Sequence, residues 1–284
     1  MPDSIQSNAE NLSGGEVTTK RINKYAPDTI IQGDCLSVMR DIPSGSVDLT
    51  VTSPPYDNLR KYNGYTFDFE PIARELFRIT KKGGVVVWVV GDATINGSET
   101  GTSFKQALYF KEIGFNLETM IYEVAGTGAK GSNYYYWQSF EYMFVLSIGN
   151  PKTSNRIADI RNTGGGIKRH TTPKSTLLKS RTDRTGIVMP IFSIRPNVWR
   201  YHHADSSDII THPAPFPEKL ARDHILSWSN EGDLVFDPMC GSGTTLKMAA
   251  TYKRHFLGCD ISEEYCRIAE RRVANAVQQI TIGV

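Results

Sequence analysis

The stretch LVFDPMCGSGTTLKMAATYKRHFLGCD, Leu234 to Asp260, constrains the fold of this chain more than any other. LVFDP is a short apolar run that reads as a strand, and the glycine-rich GSG makes a turn behind it. TTLKMAATYK then reads as a helix and HFLGCDIS as a second strand. The same alternation runs through the first half of the chain. TIIQG is a strand, CLSVMRDIP a brief helix and SVDLTVT a strand. FEPIARELFRITK has helical spacing at Ile72, Leu76 and Ile79, ends in Lys-Lys-Gly-Gly and gives way to the strand VVVWVVGD. GTSFKQALYFKEIGF is a helix stopped by Gly114, followed by the strands LETMIYEV and FEYMFVLSIG. PEKLARDHILSWS and EEYCRIAERRVANAVQQI are further helices. Strands that alternate with helices, several of them apolar on both faces, predict an α/β fold on a mainly parallel, doubly wound sheet.

The alternation breaks once. From Asn150 to about His212 the chain is rich in Thr, Ser and Gly and has no clear period. Residues 151–211 carry eleven Lys/Arg against four Asp, about +7, which leaves about −5 for the rest of a chain whose net charge is +2. Four parts are therefore expected: a flexible polar segment 1–24, one half-domain 25–150, a basic insert 151–211 and a second half-domain 212–284. A hydrophobic content of 39% with 22% charged residues is that of a soluble globular protein. No apolar run reaches the length of a membrane span, and MPDSIQSNAENLSGGE lacks the basic start and apolar core of a signal peptide. A cytoplasmic location follows as an expectation. Cys35, Cys240, Cys259 and Cys266 form no CxxC pair and no metal-ligand spacing with the six histidines, so they read as small buried thiols.

The glycine turn also suggests a ligand. Gly241 and Gly243 permit close backbone approach, and Thr244 or Thr245 can cap the helix that follows. Asp260 ends the next strand, 19 residues after Gly241, about where nucleotide-binding βαβ units place the acid that receives ribose hydroxyls. A phosphate loop is disfavoured, because no Gly-Lys-Ser/Thr is present and Lys247 falls inside the helix. A purely structural turn stays open from this loop alone. Asp237 in front of the glycines would repel a diphosphate but suits a cationic nucleoside such as S-adenosylmethionine.

The strand SVDLTVT ends in Ser53-Pro54-Pro55-Tyr56. Parallel sheets bind ligands beyond the carboxyl ends of their strands, so this loop and the glycine loop can share one cleft. An aromatic amino group is a poor nucleophile until acceptors on its N–H bonds draw the nitrogen toward tetrahedral geometry. The Ser53 hydroxyl and the Pro54 carbonyl can be those acceptors, with the prolines fixing the backbone in advance. Tyr56 offers a flat face to a base rotated out of its duplex.

These motifs resemble those of the β-type amino-methylating DNA methyltransferases, which act on cytosine N4 or adenine N6. TSPPY is similar to the family's (Ser/Asn/Asp)-Pro-Pro-(Tyr/Phe) loop, the SPPY subtype. FDPMCGSGTT is similar to its cofactor loop, with Met239 and Cys240 in place of the commoner residues. HPAPFPEKL, residues 212–220, resembles the segment that contacts the methionine end, and IIQGDCLSVMRDIPSGSVDL the element with an adenine-contacting Asp, here Asp34. The resemblance implies a Rossmann-like S-adenosylmethionine-dependent methyltransferase fold in circularly permuted order, with 151–211 as the target-recognition region. It implies Ser53, Pro54, Pro55 and Tyr56 as catalytic residues. For the cofactor it implies Asp34, Cys35, Phe216, Pro217, Asp237, Pro238, Met239, Cys240, Gly241, Ser242, Gly243, Thr244, Thr245, Asp260 and Ile261, with no metal.

Serine in the first position of that loop is associated in the family with cytosine N4, which makes a flipped cytosine in double-stranded DNA the expected substrate. Adenine N6 is the alternative, followed by a protein glutamine amide or a catalytically silent DNA-binding module. Cytosine C5 chemistry needs a cysteine nucleophile, usually after a proline, and none of the four follows one. A separately encoded restriction endonuclease and a homodimer are compatible with the resemblance. In SNYYYWQSFEY, Tyr134, Tyr135, Tyr136 or Trp137 is a candidate for the base pocket, with a core role as the alternative.

Overall fold

A computed structural model describes residues 24–55, 67–124, 136, 138–168, 187–201 and 216–282. The polar segment 1–23 and the candidates Tyr56, Tyr134, Tyr135 and Trp137 lie outside the described residues. So do Arg169, Lys174, Lys179, Arg181 and Arg184 of the basic insert.

The first half of the chain contributes β1 (Thr29–Gln32), α1 (Cys35–Arg40), β2 (Val47–Thr52), α2 (Phe69–Ile79) and β3 (Thr80–Val90). A small ladder of β4 (Thr94–Ile95) and β5 (Ser98–Glu99) precedes α3 (Thr102–Glu112), β6 (Asn116–Val124) and β7 (Phe140–Ser147). The insert supplies β8 (Ala158–Arg161), β9 (Phe192–Ile194) and β10 (Val198–Tyr201). The last part is α4 (Glu218–Trp228), β11 (Leu234–Asp237), α5 (Thr244–Thr251), β12 (His255–Asp260) and α6 (Glu263–Ile282). Among the described residues no helix is long and apolar enough to cross a membrane.

Eight strands form one sheet in the order β1-β12-β11-β2-β3-β7-β6-β10. All neighbouring pairs are parallel except those made by β7, which runs antiparallel to β3 and β6. The period of two in β3 builds both faces. Val85, Val87 and Val89 join α4, α5 and α6 in one core, while Val86, Trp88 and Val90 join α1, α2 and α3 in the other. The sheet is thus doubly wound, as the alternation requires. From β2 the chain winds toward β3, and from β11 toward β12, so the winding reverses between the adjacent strands β11 and β2. That boundary is the topological switch point, where such sheets open a crevice.

Two expectations need correction. The Lys81-Lys82-Gly83-Gly84 stretch does not end α2; it lies inside β3, which starts at Thr80, and the pairing with β2 shifts register between Val47 and Leu49. The insert is not irregular throughout. β8 and β9 pair with each other, and β10 adds a parallel edge to β6. The insert's base is bonded to the body: Asn155 N–H donates to Ser227 O at 2.8 Å and Lys152 N–H to Gly83 O at 2.8 Å. Arg195 reaches buried Asp223 on α4 at 2.6 Å and also pairs with Asp159, while Tyr201 donates its hydroxyl to Asp223 at 3.2 Å. Trp199 stacks on buried His224 with ring centroids 4.7 Å apart, and burial pushes that imidazole down to about 3, which keeps it neutral. Arg195 therefore serves the protein's own interior rather than an open basic surface, while Arg200 stays exposed and pairs with Glu123 across the sheet edge.

Candidate active site

The two loops singled out in the sequence emerge side by side. β11 pairs with β2 through Val235 with Leu49 and Phe236 with Thr50, so Asp237 and Thr52 end neighbouring strands. Two side-chain hydrogen bonds tie these strand ends together. Thr52 Oγ1 donates to Asp237 Oδ1 at 2.8 Å, and Thr245 Oγ1 donates to the Val51 carbonyl at 3.0 Å. The next residues on the β2 side are Ser53, Pro54 and Pro55, with Pro54 buried and its neighbours half-buried. Neither Thr52 nor the Thr245–Val51 bond stood out in the sequence. A buried threonine at a strand end is a weak signal, and its partner lies 185 residues away.

Asp237 is 2% exposed. Burial pushes its carboxyl up to about 7; donation from the Thr52 hydroxyl and the Met239 N–H works against that shift, and the nearby Asp260 charge adds to it. Pro238 and Met239 lead into the turn, where Cys240 N–H donates to Cys259 O at 2.9 Å and Gly243 N–H to Cys240 O at 2.7 Å. Cys240 keeps its backbone role, and burial raises its thiol well above the ordinary range. Cys240, Cys259 and Cys266 are buried free thiols, as expected, and Cys35 is half-buried.

The two glycines have separate structural reasons. Both are left-handed, with φ of 49° at Gly241 and 79° at Gly243. A Cβ on Gly243 would sit 2.6 Å from Ala269 Cβ, so this glycine is required by the packing of α6 against the loop. Thr244 and Thr245 do not cap α5 through their side chains; Gly243 is the N-cap residue, and the Thr245 hydroxyl is spent on β2.

Asp260 and Asp34 sit on the other side of Asp237. Asp260 Oδ2 accepts the Gly241 N–H and Oδ1 the Ser262 N–H, both at 2.9 Å, which leaves each oxygen a second lone pair for a ligand hydroxyl. Ile261 follows at intermediate exposure. Gly33 N–H donates to Asp260 O at 2.9 Å, which brings the start of α1 beside β12. Asp34 N-caps α1 by accepting from Ser37 N at 2.9 Å, and burial pushes the neighbouring Cys35 thiol up to about 12. Phe216 packs against the core shared by α4, α5 and α6, and Pro217 is the N-cap residue of α4. Tyr136 is fully exposed. Ser53 thus follows a strand end bonded to Asp237, and Asp260 and Asp34 line up beyond that acid.

This donor set fits S-adenosylmethionine. A buried acid stands where a cation can offset its desolvation, the next strand ends in an acid with spare acceptor capacity, and the turn between them is glycine backbone. Arg272 meets the loop at the Ser242 carbonyl and the hydroxyls of Ser242 and Thr244, which is no arrangement for a diphosphate. Among the described residues no group of His, Cys, Asp or Glu is placed to hold a metal ion.

Comparison with known proteins agrees with the geometry. The N6/N4 DNA methylase family matches residues 47–271. The orphan methyltransferase M.BamHII of Bacillus amyloliquefaciens is 55% identical over 241 residues, covering 82% of this chain and 90% of its own. The structure of PvuII DNA methyltransferase (cytosine-N4-specific) superposes with a TM-score of 0.65 at 21% identity, over 90% of this chain and 93% of that one. TTHA0409 from Thermus thermophilus, solved in complex with S-adenosyl-L-methionine, gives 0.57 at 25% identity over 87% and 95%. With its two loops meeting at the switch point of this sheet, the chain belongs to the N6/N4 DNA methylase family and is a site-specific, S-adenosylmethionine-dependent DNA methyltransferase.

Proposed function

We propose that this methyltransferase acts on the N4 amino group of a cytosine turned out of double-stranded DNA. The observation that carries the reading is the pair of bonds from Thr52 to Asp237 and from Thr245 to Val51, which fixes the cofactor loop against the strand that delivers Ser53. When bound, S-adenosylmethionine supplies an electrophilic methyl group. Asp237 faces its ammonium end, and Asp260 takes ribose hydroxyls on the lone pairs left by the Gly241 and Ser262 amides. Asp34 lies further along the same edge for the adenine.

On the other side of the boundary the Ser53 hydroxyl and the Pro54 carbonyl accept the two amino hydrogens. The nitrogen lone pair is thereby released from the ring and aimed at the methyl group. Pro54 and Pro55 hold that carbonyl in place before the base arrives, so little reorganisation accompanies the reaction. Tyr56 stacks on the extruded ring, a contact of roughly 1–3 kcal/mol that offsets part of the unstacking cost. The neutral hydroxyl at position 53, where a carboxylate is usual for adenine, is what favours cytosine. The insert 151–211 then supplies phosphate contacts and sequence recognition through its remaining basic residues.

Nucleoside mass spectrometry of DNA incubated with the enzyme and S-adenosylmethionine tests this. N4-methylcytosine is expected; N6-methyladenine as the product would overturn the assignment of the base while leaving the site intact.

A further inference from the structure

Behind the glycine loop one guanidinium joins three segments that are far apart in the chain. Arg272 on α6 donates from Nη1 to the Ser242 carbonyl at 2.7 Å, to Ser242 Oγ at 3.0 Å and to Thr244 Oγ1 at 3.3 Å. Its Nη2 donates to Glu218 Oε1 at 2.6 Å, and Lys247 Nζ on α5 shares that oxygen at 2.7 Å. The Arg272 side chain is 11% exposed and Glu218 29%. Glu218 is the first residue of α4, directly after Phe216 and Pro217.

The position of these segments along the sheet gives the network a purpose. Asp260 and Asp34 lie on the β12 and β1 side of Asp237, whereas Ser53 lies on the β2 side. A methyl group that must reach Ser53 places the sulfonium and amino-acid tail at β11 and β2, and the adenosine half at β12 and β1. A short connection leads from the C-terminus of α4 to the start of β11, so α4 runs back along the sheet and its N-terminus lies at the carboxyl edge. α4 also packs in the core that contains Leu49 and Val51 of β2. Phe216 and Pro217 therefore stand on the methionine side of the loop. We propose that Arg272 is a positioning residue for the methionine half of S-adenosylmethionine: it fixes the loop at Ser242 against the Phe216–Pro217 segment by holding Glu218. It touches no ligand atom itself. A planar fork can span both partners at once, which the point charge of a lysine cannot do.

The inference rests on the loop at 237–245 being the cofactor loop, so wild-type enzyme is titrated first with S-adenosylmethionine and with adenosine. Failure of the wild type to bind S-adenosylmethionine would sink that assignment, before Arg272 is considered. With binding in hand, Arg272→Met is expected to weaken S-adenosylmethionine by about tenfold or more, the scale of a lost charge-assisted bond. Adenosine affinity should stay within about twofold of wild type, because only the methionine half loses its wall. In kinetics the KM for S-adenosylmethionine rises while kcat at saturation is retained, and Arg272→Lys recovers only part of the loss. Glu218→Gln, which keeps an oxygen acceptor and removes the charge, should give the same selective pattern at smaller amplitude, and it decides the matter if Arg272→Met does not fold. An unchanged affinity for S-adenosylmethionine, or an equal fall for both ligands, would refute the positioning role and leave Arg272 as a packing residue.

Discussion

Replacing Asp237 by Asn should make the ligand-free protein more stable and the cofactor bind worse. The Asp237 carboxyl sits at about 7 in the fold against an ordinary 3.8, because burial disfavours its charge more than Thr52 and Met239 can restore. A raised folded-state value means that the native state holds the proton over that interval while the unfolded chain has lost it. Stability from this group is therefore complete below about pH 4, falls by roughly 1.4 kcal/mol per pH unit, and is gone above about pH 7. The whole interval amounts to roughly 4 kcal/mol. Asn cannot ionise, yet its side-chain oxygen still accepts from Thr52 and the Met239 amide. Urea denaturation of both proteins should thus show the gap in favour of Asp237→Asn widening by roughly 3 kcal/mol from pH 5 to pH 8, then staying level. In the proposed reading the cofactor supplies the missing compensation. A cationic ammonium beside the carboxyl favours its ionised form, so binding below about pH 7 releases a proton, and affinity climbs by up to about tenfold per pH unit before levelling. Asp237→Asn should lose that climb along with most of its affinity in calorimetry. A stability difference that does not change with pH would refute the argument, since it would mean that Asp237 carries its charge through the whole range.

Three further outcomes follow from the geometry. Ser53→Ala should lower kcat by about 100-fold or more while the calorimetric affinity for S-adenosylmethionine stays near wild type; lost cofactor binding would contradict the division of labour between the loops. Gly243→Ala combines a left-handed φ of 79° with a Cβ 2.6 Å from Ala269, so it should cost roughly 2–5 kcal/mol in denaturation, and an unperturbed melting curve would disprove the packing role. Arg195→Met strips one partner from buried Asp223, which keeps Arg222 at 2.6 Å; a loss of roughly 3 kcal/mol is expected, with cofactor affinity unchanged. An equally stable variant would show that the Arg195–Asp223 pair does not anchor the insert.

What could be read from the chain was whatever is local. The alternation of Val85 to Val90 between two cores, the turn at 237–243 and the prolines behind Thr52 all carry their signal within a few residues. The failures share a physical cause, which is that the deciding partner is remote. VWRY is four residues long with two exposed positions, and it becomes a strand because β6 offers it a parallel edge and Asp223 holds its tyrosine. Thr245 has the right residue type to cap a helix, but the carbonyl of Val51 competes for its hydroxyl and wins. Arg272 and Glu218 are 54 residues apart and look like ordinary charges on helix surfaces until α4 and α6 converge.

The remoteness has a consequence for how the site comes into being. Ser53 follows β2 and Asp237 ends β11, 185 residues beyond Thr52, and neither stretch alone holds both loops. Between them lie the antiparallel β7, the edge strand β10 and the whole basic insert, so the strands that meet at the switch point are far apart in the chain yet adjacent near the middle of the sheet. Pairing of β11 with β2 buries Val235, Phe236, Leu49 and Thr50 together, and only that pairing brings the Thr52 hydroxyl to the Asp237 carboxylate. A buried acid held by a remote hydroxyl is an expensive arrangement for a fold to maintain without a ligand. Its placement at this seam makes sense if the charge is there to be met by a cation. The same bond that moderates the acid's desolvation then also sets the distance from the methyl donor to the loop that receives the base.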